Sequence, residues 1–168
     1  MHSCTWKESI STQENPYHFT DSGLRNVYLI GVRRVECDCG EKYVEIPAIK
    51  QLLSLMARDV VMKREALIGD EIRFLRKQLG QKAADFSLKV GLKPETLSRV
   101  ENGKQRIGKR ADNYIRIYYA LASKDEILLD AIKEALDRVL AEERKKPPRK
   151  PPKTIARIEH DEWKLDAA

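Results

Sequence analysis

Cysteine is scarce in this chain, three among 168 residues. That odd number, with no secretion signal ahead of it, argues against a disulfide framework and leaves metal ligation or reduced thiols. Long apolar runs are missing as well. No stretch approaches the roughly 18 to 20 apolar residues of a membrane span, and residues 1–19 lack the apolar core of a signal peptide. We therefore expect a soluble, cytoplasmic protein with no membrane partner. No phosphate-cradling glycine loop occurs, and no paired carboxylates stand at catalytic spacing. His160 sits beside Asp161 and Glu162 in a polar tail without a nucleophile. The sequence thus points away from an enzyme, and its length suits one ordinary domain or two small ones.

What the chain has is charge, unevenly placed. The formal net charge is +6, but residues 1–57 carry 6 basic and 7 acidic side chains, whereas 58–110 carry 14 and 7. Residues 111–143 are acidic (4 and 8), the run 144–153 has 6 basic and no acidic side chains, and 154–168 has 2 and 4. A concentrated positive field favours a polyanion, because Lys and Arg neutralise phosphates and release condensed counterions.

Pattern along the chain implies an α+β fold. Residues 1–15 are polar and without periodicity and read as loop unless a metal ties them down. Runs at 27–32 and 43–46 are β-branched and aromatic and read as strands of a small sheet. Pro47 ends the second run, and Ile49, Leu52, Leu53, Leu55, Met56 and Val60 recur at helical spacing, so 48–64 reads as an amphipathic linker helix. Five further helices follow: one ending at Gly80, one over 83–90 closed by Gly91, one from Pro94 to Asn102, one over 112–122 and one from Asp125 to about 145. Pro147, Pro148, Pro151 and Pro152 exclude helix beyond that and give a basic extended tail, after which 154–158 alternates like a strand that Trp163 and Leu165 would dock. The implied domains are a small β domain (1–47), the linker helix (48–66), a five-helix domain (67–146) and the tail (147–168).

The second and third of those five helices, joined by a tight turn at Gly91, make a helix-turn-helix. Leu97 and Val100, three apart, would face the core, while Lys93, Glu95, Thr96, Ser98 and Arg99 are left outside. Such a helix suits the major groove: Arg99 for guanine, Glu95 for cytosine, Thr96 and Ser98 for a base or a phosphate. Lys82, Lys93, Lys104, Arg106, Lys109 and Arg110 are the candidate phosphate contacts. The first amides of the preceding helix, at Ala83 and Ala84, would add a dipole contact, and Pro94 starts the groove helix. Glu101 suits a structural bond, and Tyr114, Tyr118 and Tyr119 suit core or dimer packing rather than base stacking.

The segment Pro94-Glu95-Thr96-Leu97-Ser98-Arg99-Val100-Glu101-Asn102-Gly103 resembles the SPETVSRWENG signature of Xre-type, phage-repressor-like helix-turn-helix regulators, with Val100 in place of the tryptophan. Residues 67–77 are similar to the LTGxEIRFLRK segment of the narrower YgiT-type zinc-finger/helix-turn-helix family, which includes MqsA-type antitoxins. Residues 17–32 and 37–41 resemble its sheet and second knuckle. The resemblance covers about residues 17–122. It implies DNA binding by the helical domain, usually as a homodimer, often autorepression, and in the antitoxins a zinc domain that binds a toxin. The family's two CxxC knuckles are absent here. A four-ligand zinc site would need His2, Cys4, Cys37 and Cys39, or His18 in place of His2. The expected function is therefore that of a sequence-specific, nucleoid-associated repressor on a palindrome. The alternative is an antitoxin whose residues 1–64 neutralise a toxin protein.

Overall fold

The computed structural model describes residues 5–143, 156–159 and 162–165. It is α+β: small antiparallel sheets followed by six helices. Five short strands come first: β1 (Trp6–Ile10), β2 (Tyr17–His18), β3 (Tyr28–Leu29), β4 (Arg33–Cys37) and β5 (Lys42–Glu45). They form a three-stranded sheet in the order β1-β4-β5 and a β2-β3 ribbon. In the larger sheet Glu8 pairs with Val35, which pairs in turn with Tyr43.

Two expectations are corrected in this layer. The segment within 1–15 read as loop contains β1, whose five residues are all exposed, so no buried face imposes an apolar alternation. It is held through its backbone and by the Arg33 guanidinium, which bonds Glu8 at 2.6 Å and Glu45 at 3.3 Å. The run 27–32 is not one strand either. After β3 the chain turns through Ile30, 62% exposed, and Gly31 at φ +83°, then starts β4. Buried Ser11 fastens that turn: its backbone exchanges bonds with Val32 and Gly31, and its hydroxyl accepts from the Val32 amide at 3.0 Å.

The helices are α1 (Ile49–Met62), α2 (Gly69–Gln78), α3 (Ala83–Lys89), α4 (Pro94–Glu101), α5 (Lys109–Ser123) and α6 (Glu126–Glu143). Their apolar positions close one core that includes Ile72, Leu75, Phe86, Leu97, Ile115 and Leu128, each 1% exposed or less. Burying each such side chain contributes about 1.5 to 3 kcal/mol. Leu24, from the loop after β2, belongs to the same core. A smaller cluster of Phe19, Leu29 and Val32 packs under the strands, and Leu53 and Met56 of α1 touch both clusters. The stripe expected on 48–64 thus packs on both neighbours.

Helix α5 starts three residues ahead of the expected Asp112. Extended Gly108 is its N-cap and accepts from the Asp112 amide at 3.0 Å. Lys109 and Arg110 therefore stand in a first turn, where a cation opposes the helix dipole, which is why the sequence pattern places the start later. The chain divides into two compact units, 1–132 and 133–168. The second contains a hairpin, β6 (Ala156–Glu159) with β7 (Glu162–Leu165), in which Ile158 pairs with Trp163. The expected strand at 154–158 is thus shifted and joined by a second, while 144–155, with its prolines and basic run, and His160 and Asp161 lie outside the described residues.

Candidate nucleic-acid interface

Helices α3 and α4 are linked by a turn through Gly91 at φ +68°, closed by the Leu92 amide bonding the Ser87 carbonyl at 2.8 Å. Phe86, Val90, Leu97 and Val100 fasten the pair to the core. What remains outward on α4 is Lys93 just before it, Pro94, Glu95, Ser98 and Arg99, all exposed, with Thr96 half-buried. Pro94 occupies the first turn, where its missing N–H costs nothing. Lys82, Lys104, Arg106, Lys109 and Arg110 are exposed, Arg106 and Arg110 lining a cleft with Thr96 of α4, and Ala83 is half-buried at the start of α3.

The orientation of α4 is set from inside. Glu101, 6% exposed, receives two bonds from Arg76 of α2, Nε to Oε1 at 2.7 Å and the second nitrogen to Oε2 at 2.8 Å. Such a fork fits a carboxylate in one geometry only. The carboxylate raises the Arg76 pKa against the opposing effect of burial. Arg73 adds bonds to the Glu101 carbonyl at 2.5 Å and the Asn102 side chain at 2.9 Å. Arg76 also donates to the Gln81 carbonyl at 2.9 Å, so one residue ties α2, the turn after it and the end of α4. At the other end of α2, a Cβ on Gly69 would collide with the Val100 carbonyl, so the two helices meet backbone to backbone.

Five cations of the helical region and its neighbours are held in close pairs. Arg25 pairs with Asp70, Arg58 with Asp125, Lys63 with Glu71, Arg76 with Glu101 and Arg116 with Asp112, at 2.7 to 2.9 Å. Among the described residues no ion pair engages Lys82, Lys93, Arg99, Lys104, Arg106, Lys109 or Arg110. Lys93 and Arg99 belong to α4 or its N-cap, and Arg106 and Arg110 line one cleft with Thr96 and Val100 of α4. Lys7, Arg34, Lys50, Arg64, Lys77, Lys89, Lys124 and Lys133 also lack an ion pair among the described residues.

Sequence reasoning missed Arg73, Arg76, Asp112 and Arg116. Arg116 donates to the carbonyls of Val61 at 2.6 Å, Lys63 at 2.7 Å and Glu65 at 2.6 Å, and Asp112 accepts from the Leu67 amide at 2.7 Å. The only signal for them is polar residues interrupting helical stripes. Tyr119 is buried, which raises its hydroxyl pKa. Tyr118 packs edge-on against Phe86 at 5.8 Å and takes a bond from Gln81. Tyr114 is half exposed.

For a metal, Cys37, buried, and Cys39, exposed, lie on the turn from β4 to β5, where the Gly40 amide bonds the Cys37 carbonyl at 2.8 Å. His2 and Cys4 lie outside the described residues. His18 is occupied elsewhere, stacked on Tyr28 at 4.6 Å with Nε2 at 2.9 Å from the Arg25 carbonyl. No group of three His, Cys, Asp or Glu side chains placed to hold a metal occurs among the described residues. The residues present there do not by themselves fit zinc, since a turn with two thiols supplies half of a tetrahedral set.

No protein-family model, curated protein or solved structure matches this chain. No helix among the described residues is long and apolar enough to cross a membrane.

Proposed function

We propose that this protein is a sequence-specific DNA-binding transcriptional regulator, a non-enzymatic repressor that binds a palindromic operator as a homodimer. The observation that carries the proposal is the polar exposed face of α4, Lys93, Glu95, Ser98 and Arg99, on a helix packed against α3 and fixed by an inward charge pair, with the exposed Arg106 and Arg110 beside it. In this reading α4 enters the major groove, Arg99 and Glu95 address base edges, and Lys82, Lys93, Lys104, Arg106, Lys109 and Arg110 hold the backbone. Two copies would reach successive grooves about 34 Å apart. The exposed apolar residues Tyr114, Ile117 and Leu121 of α5 support a contact between copies. The resemblance to Xre-type and YgiT-type regulators agrees with this reading.

The test is fluorescence anisotropy on a duplex from the gene's own upstream region against a shuffled duplex. A specificity ratio of about 10³ or more supports the proposal. Arg99→Ala costs about 1 to 3 kcal/mol on the specific duplex alone, whereas Lys104→Ala weakens both and flattens the salt slope. Equal losses on both duplexes for both variants overturn the assignment.

One observation favours the antitoxin reading as a second role. Trp6, Ile10, Tyr28, Ile30 and Tyr43 are exposed on the β layer, with Trp6 and Tyr43 in ring contact at 5.5 Å. Such side chains suit a protein partner. Co-purification with the product of a neighbouring toxin-like gene, lost in Tyr43→Ser, tests it. Zinc enters the proposal only as a structural ion on the Cys37–Cys39 turn with His2 and Cys4. Metal content of the purified chain and of Cys37→Ser tests that part.

A further inference from the structure

Beside α4 lies a cleft of about 530 Å³ whose apolar floor the groove-reading role does not use. Its floor is apolar: Val90 and Val100 are buried, Leu92 and Ile107 are half-buried, and Tyr114, half exposed, forms one wall. Its rim carries Arg106 and Arg110, both exposed and without an ion-pair partner among the described residues, with Thr96 and Gln105 as further polar groups. The volume falls within the roughly 300 to 1,000 Å³ of small-molecule sites, which combine an apolar lining with a few convergent polar groups.

We propose that this cleft binds a small amphipathic carboxylate, its hydrocarbon body on Leu92, Ile107 and Tyr114 and its carboxylate on Arg106 and Arg110. The charge pattern selects the occupant. Two unpaired guanidiniums at the mouth of an apolar cleft favour one negative head over a neutral or positive one. The floor rewards a hydrocarbon body that an inorganic anion lacks. The regulatory consequence rests on the DNA-binding reading. Arg106 and Arg110 are phosphate contacts there and Thr96 belongs to α4, so an occupied cleft withdraws two cations from the duplex and releases it.

The experiment is calorimetric titration of the full chain with hexanoate, octanoate and decanoate, and with octylamine hydrochloride as the cationic counterpart. One saturable site is expected, strengthening about fourfold per methylene, the equivalent of about 0.8 kcal/mol. Octylammonium should not bind. Arg106→Gln and Arg110→Gln, surface changes that leave the circular dichroism unaltered, should each weaken octanoate about tenfold. No saturable binding, indifference to chain length, or equal binding of octylammonium overturns the proposal.

Anisotropy on the upstream duplex separates the two readings. Octanoate binding to a chain that ignores DNA sustains the cleft and ends the regulator reading. DNA binding without octanoate binding ends the cleft alone, and simultaneous binding without competition refutes the release step.

Discussion

Removing the Glu101 carboxylate tests the charge cluster that holds α4, in which Arg73 Nε also stands 3.6 Å from Oε2. The Glu101 and Arg76 side chains are 7% and 13% exposed, and both carboxylate oxygens are taken by Arg76. Glu101→Ala therefore leaves a buried guanidinium with one remaining acceptor, the Gln81 carbonyl at 2.9 Å. Breaking a buried pair in this way costs about 3 to 5 kcal/mol. The retained acceptor, and Arg73's own bonds to the Glu101 carbonyl and Asn102, put the expectation near the lower end, about 3 kcal/mol. That is a large share of the roughly 5 to 15 kcal/mol that stabilises a domain.

The assay is urea unfolding of the full chain followed by far-ultraviolet circular dichroism. At a slope of about 2 kcal/mol per molar urea the midpoint should fall by about 1.5 M. The combined change Arg76→Met with Glu101→Leu removes both charges and should recover most of the loss, because an apolar pair of similar volume often matches a buried ion pair. A Glu101→Ala cost below about 1 kcal/mol, or a combined cost equal to the two single costs added, would refute the clamp.

Three further outcomes follow from the same structure. Gly69→Ala should destabilise by about 1 to 3 kcal/mol, read as a lower thermal midpoint, since its methyl meets the backbone of Val100 and Glu101 rather than a side chain able to move aside. Burial pushes the Asp125 carboxyl up, but the hydrogen bond from Arg58, the Leu128 and Ile127 amides and the Arg58 charge outweigh it and hold the group below its ordinary value. Its stabilising contribution is thus present above the unfolded value of about 3.9 and lost as pH falls through the lower folded one. Asp125→Asn should therefore flatten the acid limb of stability below about pH 4, measured by urea midpoints, and an unchanged limb would contradict this. Arg116→Lys keeps the charge but not the fork that spans Val61, Lys63 and Glu65, so trypsin should cut at Lys63 and Arg64 several-fold faster; unchanged cleavage would show that the connection is held otherwise.

How much of this was legible depended on whether the cause is local. Helices α2 to α4 are punctuated by Gly80, Gly91, Pro94 and Gly103, and their apolar positions recur at helical period, so the sequence places them within a residue or two. The exposed face of α4 followed directly, because fixing Leu97 and Val100 inward leaves Glu95, Ser98 and Arg99 outside. Strand β1 was illegible because its stability is borrowed from β4 through backbone pairing and the Glu8–Arg33 pair, 25 residues away in sequence. Arg116 was illegible for a stronger reason. Its acceptors are backbone carbonyls 51 to 55 residues distant, and a carbonyl has no sequence signature.

That difference in range also explains the charge distribution. Residues 58–110 hold 14 basic and 7 acidic side chains, and composition alone gives every cation an equal claim to a partner. Folding assigns the acids instead. Asp70, Glu71 and Glu101 turn to Arg25, Lys63 and Arg76, and Asp112 of the next segment turns to Arg116. Each is 17% exposed or less, so these four carboxylates are withdrawn into structural contacts, while Glu95 stays exposed on α4 beside Arg99. Which charges stay outside is thus decided partly by where the fold uses its carboxylates. The pair that withdraws Glu101 from the surface also fixes the helix that presents Arg99.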